Sequence, residues 1–145
     1  MNSSLIRHTK IGHRLFFAFL LLATHPAWAQ SADEIYQRIY KNDNCAPLLS
    51  VVMQRAQAGD AVAQHQLGFI YTNGWCGAKQ DAAQAFKWYS AGAAQNNAAA
   101  EQGIGRSYQL GLGVNADMKQ ALAWYRKSAD HGDSEAQFDI GWLYE

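Results

Sequence analysis

Apolar side chains return at intervals of three and four through most of this chain. Ala63, Leu67, Ile70 and Tyr71 fall at i, i+4, i+7 and i+8, which is one face of a helix with 3.6 residues per turn. Ala82, Ala85, Phe86, Tyr89 and Ala93 form a second such face. The expected helix starts carry side chains that cap exposed backbone N–H groups. Asp60, Asn97 and Asp133 precede one set of helices, and Asp81 and Asp117 precede the other. Gln84 and Gln120 stand three residues after the latter two, a capping-box pattern. Gly74 and the Gly111-x-Gly113 stretch fall between helices, where a left-handed C-terminal cap is needed.

The two faces repeat. Ala63–Tyr71, Ala100–Tyr108 and Ala136–Tyr144 all read A-x-x-x-[LI]-G-x-x-Y, with glycines at 68, 105 and 141. Between them D-x-x-x-A-x-x-W-Y occurs twice, ending in Trp88-Tyr89 and in Trp124-Tyr125. The unit is therefore a helix-turn-helix of 36 or 37 residues. Units span 61–96 and 97–132, and a partial one spans 133–145. A glycine inside a helix costs about 1 kcal/mol against alanine. Three at one phase predict a close approach of a neighbouring helix, with Ala85 and Ala121 as partners and the large aromatics in the wider gaps. Residues 30–60 read as a degenerate helix pair that caps the array: 31–41 form its first helix and Pro47 stands in the first turn of its second. The third unit has a first helix and no second, which leaves Ile140 and Tyr144 without a partner and is the pattern of a truncated product.

Composition agrees with helices. From residue 30 onward there are 21 alanines against 4 valines, 5 isoleucines and 1 threonine, a ratio that excludes an all-β fold. The expected class is all-α, an α-solenoid of stacked antiparallel helix pairs. Residues 1–29 differ from the rest. Arg7, Lys10 and Arg14 precede the apolar run Leu15 to Ala23, and Ala27-Trp28-Ala29 follows as a small-x-small site. Nine apolar residues are too few for a span of about 20. The segment reads as a signal peptide cleaved between Ala29 and Gln30, with an uncleaved N-terminal anchor as the alternative. The expected location is periplasmic or secreted, with no membrane attachment after cleavage. Without the head the chain keeps nine basic and twelve acidic groups, about −3, which argues against nucleic-acid binding. Cys45 and Cys76 fall in corresponding turns of adjacent units. In an oxidising compartment they are a disulfide pair, with two buried free thiols as the alternative.

The combined motif, A-x-x-x-L-G-x-x-Y followed by G-x-G-V and then D-x-x-x-A-x-x-W-Y-x-K-[SA]-A-x-x-G-[DN], resembles the Sel-1-like repeat, a relative of the tetratricopeptide repeat. The second unit matches almost throughout: Gly111-Leu112-Gly113-Val114, Trp124 to Ala129, and Gly132-Asp133. The first departs at Cys76-Gly77 and at Ser90-Ala91-Gly92. The resemblance implies that first helices line a concave face and bind a protein or peptide. Positions opposite the apolar face then form the candidate site: His65, Phe69 and Thr72; Gln102, Arg106 and Gln109; Phe138 and Trp142, with Glu145 at the end. Their chemistry changes between units while the apolar face does not, as a non-periodic partner requires. Phe69, Arg106 and Trp142 are of the types that dominate binding hot spots. For Phe138 and Trp142 the alternative is contact with a further helix.

No catalytic constellation stands out. The histidines at 65 and 131 lie on different helices, and no H-E-x-x-H, G-x-S-x-G or phosphate-loop motif occurs. Asp81 and Asp117 read as helix caps. No metal site, no cofactor and no enzymatic activity is expected. The expected function is an exported protein- or peptide-binding scaffold. Two alternatives stay open. One is a cell-wall or β-lactam-binding, enzyme-like relative, although such proteins carry a cysteine pair within each repeat and this chain spreads one pair over two. The other is a repeat fragment without independent function.

Overall fold

A computed structural model describes residues 32–41 and 44–143. The expected signal segment and cleavage site, and Tyr144 and Glu145, lie outside the described residues. The described chain is helical, with no strand. α1 is Ala32–Tyr40, followed by a 3-10 turn at Ala46–Leu48. α2 is Leu49–Gln57, α3 Ala61–Asn73, α4 Ala82–Ala93, α5 Ala98–Leu110, α6 Met118–Asp130 and α7 Ser134–Leu143. From α2 to α7 each helix packs on the next in sequence, α1 packs on α3, and α3 also packs on α5, so pairs stack on pairs.

The caps follow the sequence. Asp60 accepts from the N–H groups of Val62 and Ala63 at 3.0 and 3.1 Å, and Asn97 from that of Ala100 at 2.9 Å. Asp81 and Asp117 accept from Gln84 and Gln120 at 3.0 and 3.1 Å. The reciprocal half of the expected capping box is absent. The N–H groups of Asp81 and Asp117 donate instead to the carbonyls of Tyr71 and Tyr108, both at 2.9 Å. The preceding helix thus holds the start of the next one directly, and no glutamine side chain is needed there. Gly74 and Gly111 end α3 and α5 in the left-handed region, φ 68° and 69°. One turn further, Gly113 sits at φ 75° while its counterpart Cys76 adopts φ 54°, a conformation that ordinary side chains disfavour. A covalent bond anchors it there: Cys45 and Cys76 are joined, S–S 2.09 Å, and tie the α1–α2 connection to the α3–α4 connection.

The core changes character along the array. At the N-terminal end it is aliphatic: Ile35, Ile39, Leu48, Val52, Leu67 and Ile70 are buried around the disulfide. Further on, tyrosine and alanine take over, with Ala85, Tyr89, Ala93 and Ala100, then Ala121, Tyr125 and Ala136. The helical glycines answer to the tyrosines and not to Ala85 and Ala121. A Cβ at Gly68 would stand 2.6 Å from the Tyr89 ring, and one at Gly105 would stand 2.7 Å from the Tyr125 ring. A planar ring lying on bare helix backbone is the close approach, and the alanines are buried beside it. Trp88 and Trp124 are only half-buried. Trp88 borders a separate cavity of about 590 Å³ with Leu49, Met53 and Tyr71.

Candidate functional site

The first helices α3, α5 and α7, together with α1, line one face that holds a run of cavities. The largest, about 520 Å³, is bordered by Gln102, Arg106, Gln109, Tyr125, Phe138 and Asp139. A smaller one of about 90 Å³ continues toward α1 and is bordered by Tyr40, His65, Phe69, Thr72, Tyr89 and Arg106. A third, about 270 Å³, is shared by Tyr36, Tyr40, His65, Gln102 and Glu135. Seven of the eight candidate residues therefore border this face. Trp142 borders none of the three cavities, although it is 63% exposed.

The seven are not equivalent. His65 was expected on the open side, but it is only 8% exposed. Its ring tilts against Tyr89 at 5.9 Å, and α1 and α5 close over it. Burial pushes its pKa down to about 4, against the opposing pull of Asp133, so the imidazole is neutral at neutral pH. Phe69 is also drawn inward. It stacks on Tyr40 at 4.5 Å and meets the edge of Trp75 at 5.3 Å, so it belongs in part to the N-terminal core. The sequence pattern missed both because α1 lies outside the repeat register that defined the open side.

Polar side chains on this face are held by partners. Thr72 Oγ1 donates to the Gly68 carbonyl at 2.9 Å and lies 3.2 Å from Tyr89 Oη. At the same place one unit on, Tyr125 Oη donates to Gln109 Oε1 at 2.6 Å. Gln102 donates to Asp139 at 3.0 Å. The second-helix tyrosines thus do two jobs, packing on glycine with the ring and fixing a groove residue with the hydroxyl. Burial raises the pKa of both phenols, so both stay neutral donors or acceptors. Arg106 is exposed and makes no hydrogen bond or ion pair among the described residues. It borders both larger and smaller cavities, which leaves a guanidinium fork free for a ligand oxygen.

Sequence reading also passed over Glu101. It is fully buried, with Lys127 Nζ 3.0 Å from one carboxylate oxygen and His131 Nδ1 2.7 Å from the other. In the first unit the matching side chains are Gln64 and Gln95, which bond at 2.8 Å. The pair therefore ties a first helix to the end of the following second helix, and in the second unit the same tie joins a carboxylate to a histidine, with Lys127 beside it. No nucleophile is part of it. Among the described residues no group of three or more His, Cys, Asp or Glu is arranged to hold a metal ion, and no helix is long and apolar enough to cross a membrane.

Known proteins with this arrangement are repeat proteins. No curated protein matches the chain. Among solved structures it is similar to a Sel1 repeat protein from Oxalobacter formigenes, with 31% identity and a TM-score of 0.62 over 66% of this chain and 28% of that one. It is also similar to a protective antigen of uropathogenic Escherichia coli strains displaying an SLR fold, with 28% identity and a TM-score of 0.67 over 78% of this chain and 26% of that one. The chain thus spans about a quarter of the length of either. The Sel1 repeat family itself matches residues 61–97 and 98–133, two consecutive helix pairs that take in α3 to α6. By those two repeats and the helical solenoid they build, this chain belongs to the Sel1-repeat family.

Proposed function

We propose that the chain is an exported scaffold that holds a protein or peptide partner on the face lined by α1, α3, α5 and α7. Sel1-repeat proteins are generally non-catalytic interaction scaffolds, which gives the class of function. The observation that carries the reading to this face is Arg106. Its guanidinium makes no hydrogen bond or ion pair among the described residues, stands between two cavities flanked by Gln102, Gln109 and Phe138, and has polar neighbours, Gln102 and Gln109, already fixed by Asp139 and Tyr125. A site whose side chains are held in place loses little entropy on binding. Export rests on the N-terminal segment and agrees with a disulfide, which persists in oxidising compartments.

Capture from the cell envelope tests the groove. Alanine at Arg106 and at Phe138 should each weaken retention of a captured partner, by about 1–3 kcal/mol if either is a hot spot, with melting unchanged. Phe69 is unsuited to that test because it also packs on Tyr40 and Trp75. Retention that neither substitution alters would remove this face from consideration. N-terminal sequencing tests export: the mature protein should begin at Gln30, and Ala29→Asp should accumulate the precursor. Protein recovered from cells with Met1 intact would end the export reading.

A further inference from the structure

The groove offers its free hydrogen-bonding groups in a fixed order. Gln102 gives its amide N–H to Asp139, a carboxylate that only accepts, so its Oε1 is the end left for a ligand. Gln109 takes the Tyr125 hydroxyl on Oε1, which leaves its amide N–H donors. Arg106 stands between them on α5 and adds the donors of its guanidinium. Glu135, at the start of α7, is exposed, and its carboxylate makes no hydrogen bond or ion pair among the described residues. Acceptors therefore lie toward the N-terminal end of these first helices and donors toward the C-terminal end. The exposure of Glu135 belongs to its repeat position: its counterpart Val62 is 42% exposed even with α5 packed on α3.

Charge sorts the same way. Glu135 and Asp133 border the cavity that Tyr36 and Tyr40 share, and two carboxylates beside two phenol rings suit a cation. Arg106 is the one lysine or arginine among the residues that border the three cavities. Glu135 and Arg106 border two cavities together, yet they are not paired with each other. By repeat alignment Glu135 corresponds to position 99 of α5, and from there to Arg106 the helix rises about 10 Å. An extended peptide covers that distance in about three residues. We infer, building on the reading of this face as a peptide site, that the groove recognises an extended segment of opposite charges: a basic side chain at Glu135, beside Tyr36 and Tyr40, and an acidic side chain about three or four residues away at Arg106 and Gln109. Gln102 Oε1, between the two ends, takes a backbone N–H of the segment. A wholly acidic segment meets Glu135 and Asp133 with like charge, and a wholly basic one meets Arg106 in the same way.

The test pans a random-peptide phage library on the purified full chain and measures the enriched peptides, labelled, by fluorescence anisotropy. Enriched sequences should pair a lysine or arginine with an aspartate or glutamate about three or four residues away. Arg106→Glu should weaken such a peptide at least about tenfold, because like charges then meet. Replacing the acid of the peptide by lysine should restore binding to that variant alone. Glu135→Lys should behave as the mirror image, with the base of the peptide replaced by glutamate. Both side chains are exposed, so melting should stay unchanged, and restoration by charge exchange separates recognition from damage to the fold. Loss that neither exchange restores would overturn the inference. Enriched peptides that are lost with Phe138→Ala but carry no such charge pair would overturn it too, while leaving the face as a peptide site. Peptides indifferent to Arg106→Glu, Glu135→Lys and Phe138→Ala would overturn both. No enrichment above background would overturn the inference, and partner capture by the Arg106→Ala and Phe138→Ala proteins would still judge the face.

Discussion

A tyrosine ring lying on helix backbone decides what each repeat glycine tolerates. Gly68→Ala and Gly105→Ala place a methyl where ring carbons stand at 2.6–2.7 Å, and the rings belong to buried tyrosines with little room to move. Each should destabilise the fold by about 1–3 kcal/mol, as overpacking does. Gly141→Ala meets nothing and should stabilise it by about 0.5–1 kcal/mol through helix propensity. Urea unfolding of the three variants checks the order, and a destabilised Gly141→Ala would contradict it. At His65 the residue scale gives a pH dependence. Its folded pKa is about 4, below the ordinary value of 6.5, so between those values the unfolded chain takes up a proton that the folded chain refuses. Stability is full above pH 6.5 and declines as pH falls to 4, by about 3 kcal/mol, then levels off with respect to this group. His65→Leu should remove that part of the slope in unfolding curves measured from pH 7 to pH 4. The sequence showed the histidine but not its burial. An i, i+4, i+7 count places a side chain on a helix face, and only the packing of α1 and α5 turns that face inward.

Between elements, the tie from first helix to second is made twice with different chemistry. Gln64 accepts from Gln95, and Gln64 also donates to the Ala56 carbonyl at 3.1 Å, so an amide fits this slot fully bonded. Glu101→Gln should therefore cost less than about 1 kcal/mol, since a neutral pair already serves in the preceding unit. Removing Lys127 and His131 leaves a fully buried carboxylate without its partners. Lys127→Ala and His131→Ala should each destabilise by about 1–3 kcal/mol, with the double variant at about 3–5 kcal/mol because the charge is then uncompensated. Adding Glu101→Gln to the double variant should recover most of that loss. Chemical denaturation of the five variants is the measurement, and no recovery in the triple variant would show that the lost contacts, and not the buried charge, carry the energy. The helices themselves were legible in the sequence: caps, left-handed glycines and apolar faces are local features. The Glu101 tie was not, because its members sit 26 to 30 residues apart on a cap and two helix surfaces.

At the scale of the molecule, stability in a repeat array is close to a sum of units and their interfaces. The disulfide acts at one end of that sum. It closes a loop with a sequence separation of 31 residues, worth about 3–4 kcal/mol in the chain-entropy model. It also holds Cys76 in its left-handed conformation and keeps α1, with Tyr40, against Phe69. Cys45→Ser with Cys76→Ser should lower stability by about that amount, and hydrogen exchange should rise first in α1 and α2. Amides of α5 and α6 should be least affected, because those helices touch neither cysteine. Uniform loss of protection along the chain would mean that the array unfolds as one unit.

The sequence alone determined the helix pairs, their caps, their 36- and 37-residue period and the cysteine turns that face each other. All of these depend on residues within one or two turns of each other, or on repetition of such local patterns. Tertiary structure decided which side chains of that regular array are free. It buried His65, drew Phe69 into a stack with Tyr40 and Trp75, and left Arg106 open between two cavities. It also put tyrosine rings where alanines were expected against Gly68 and Gly105, and left Gly141 bare. Periodicity is a property of one helix, whereas exposure is a property of its neighbours. Among the described helices the neighbours are not all those of the repeat itself, α1 standing outside its register and α7 carrying no tyrosine over its glycine.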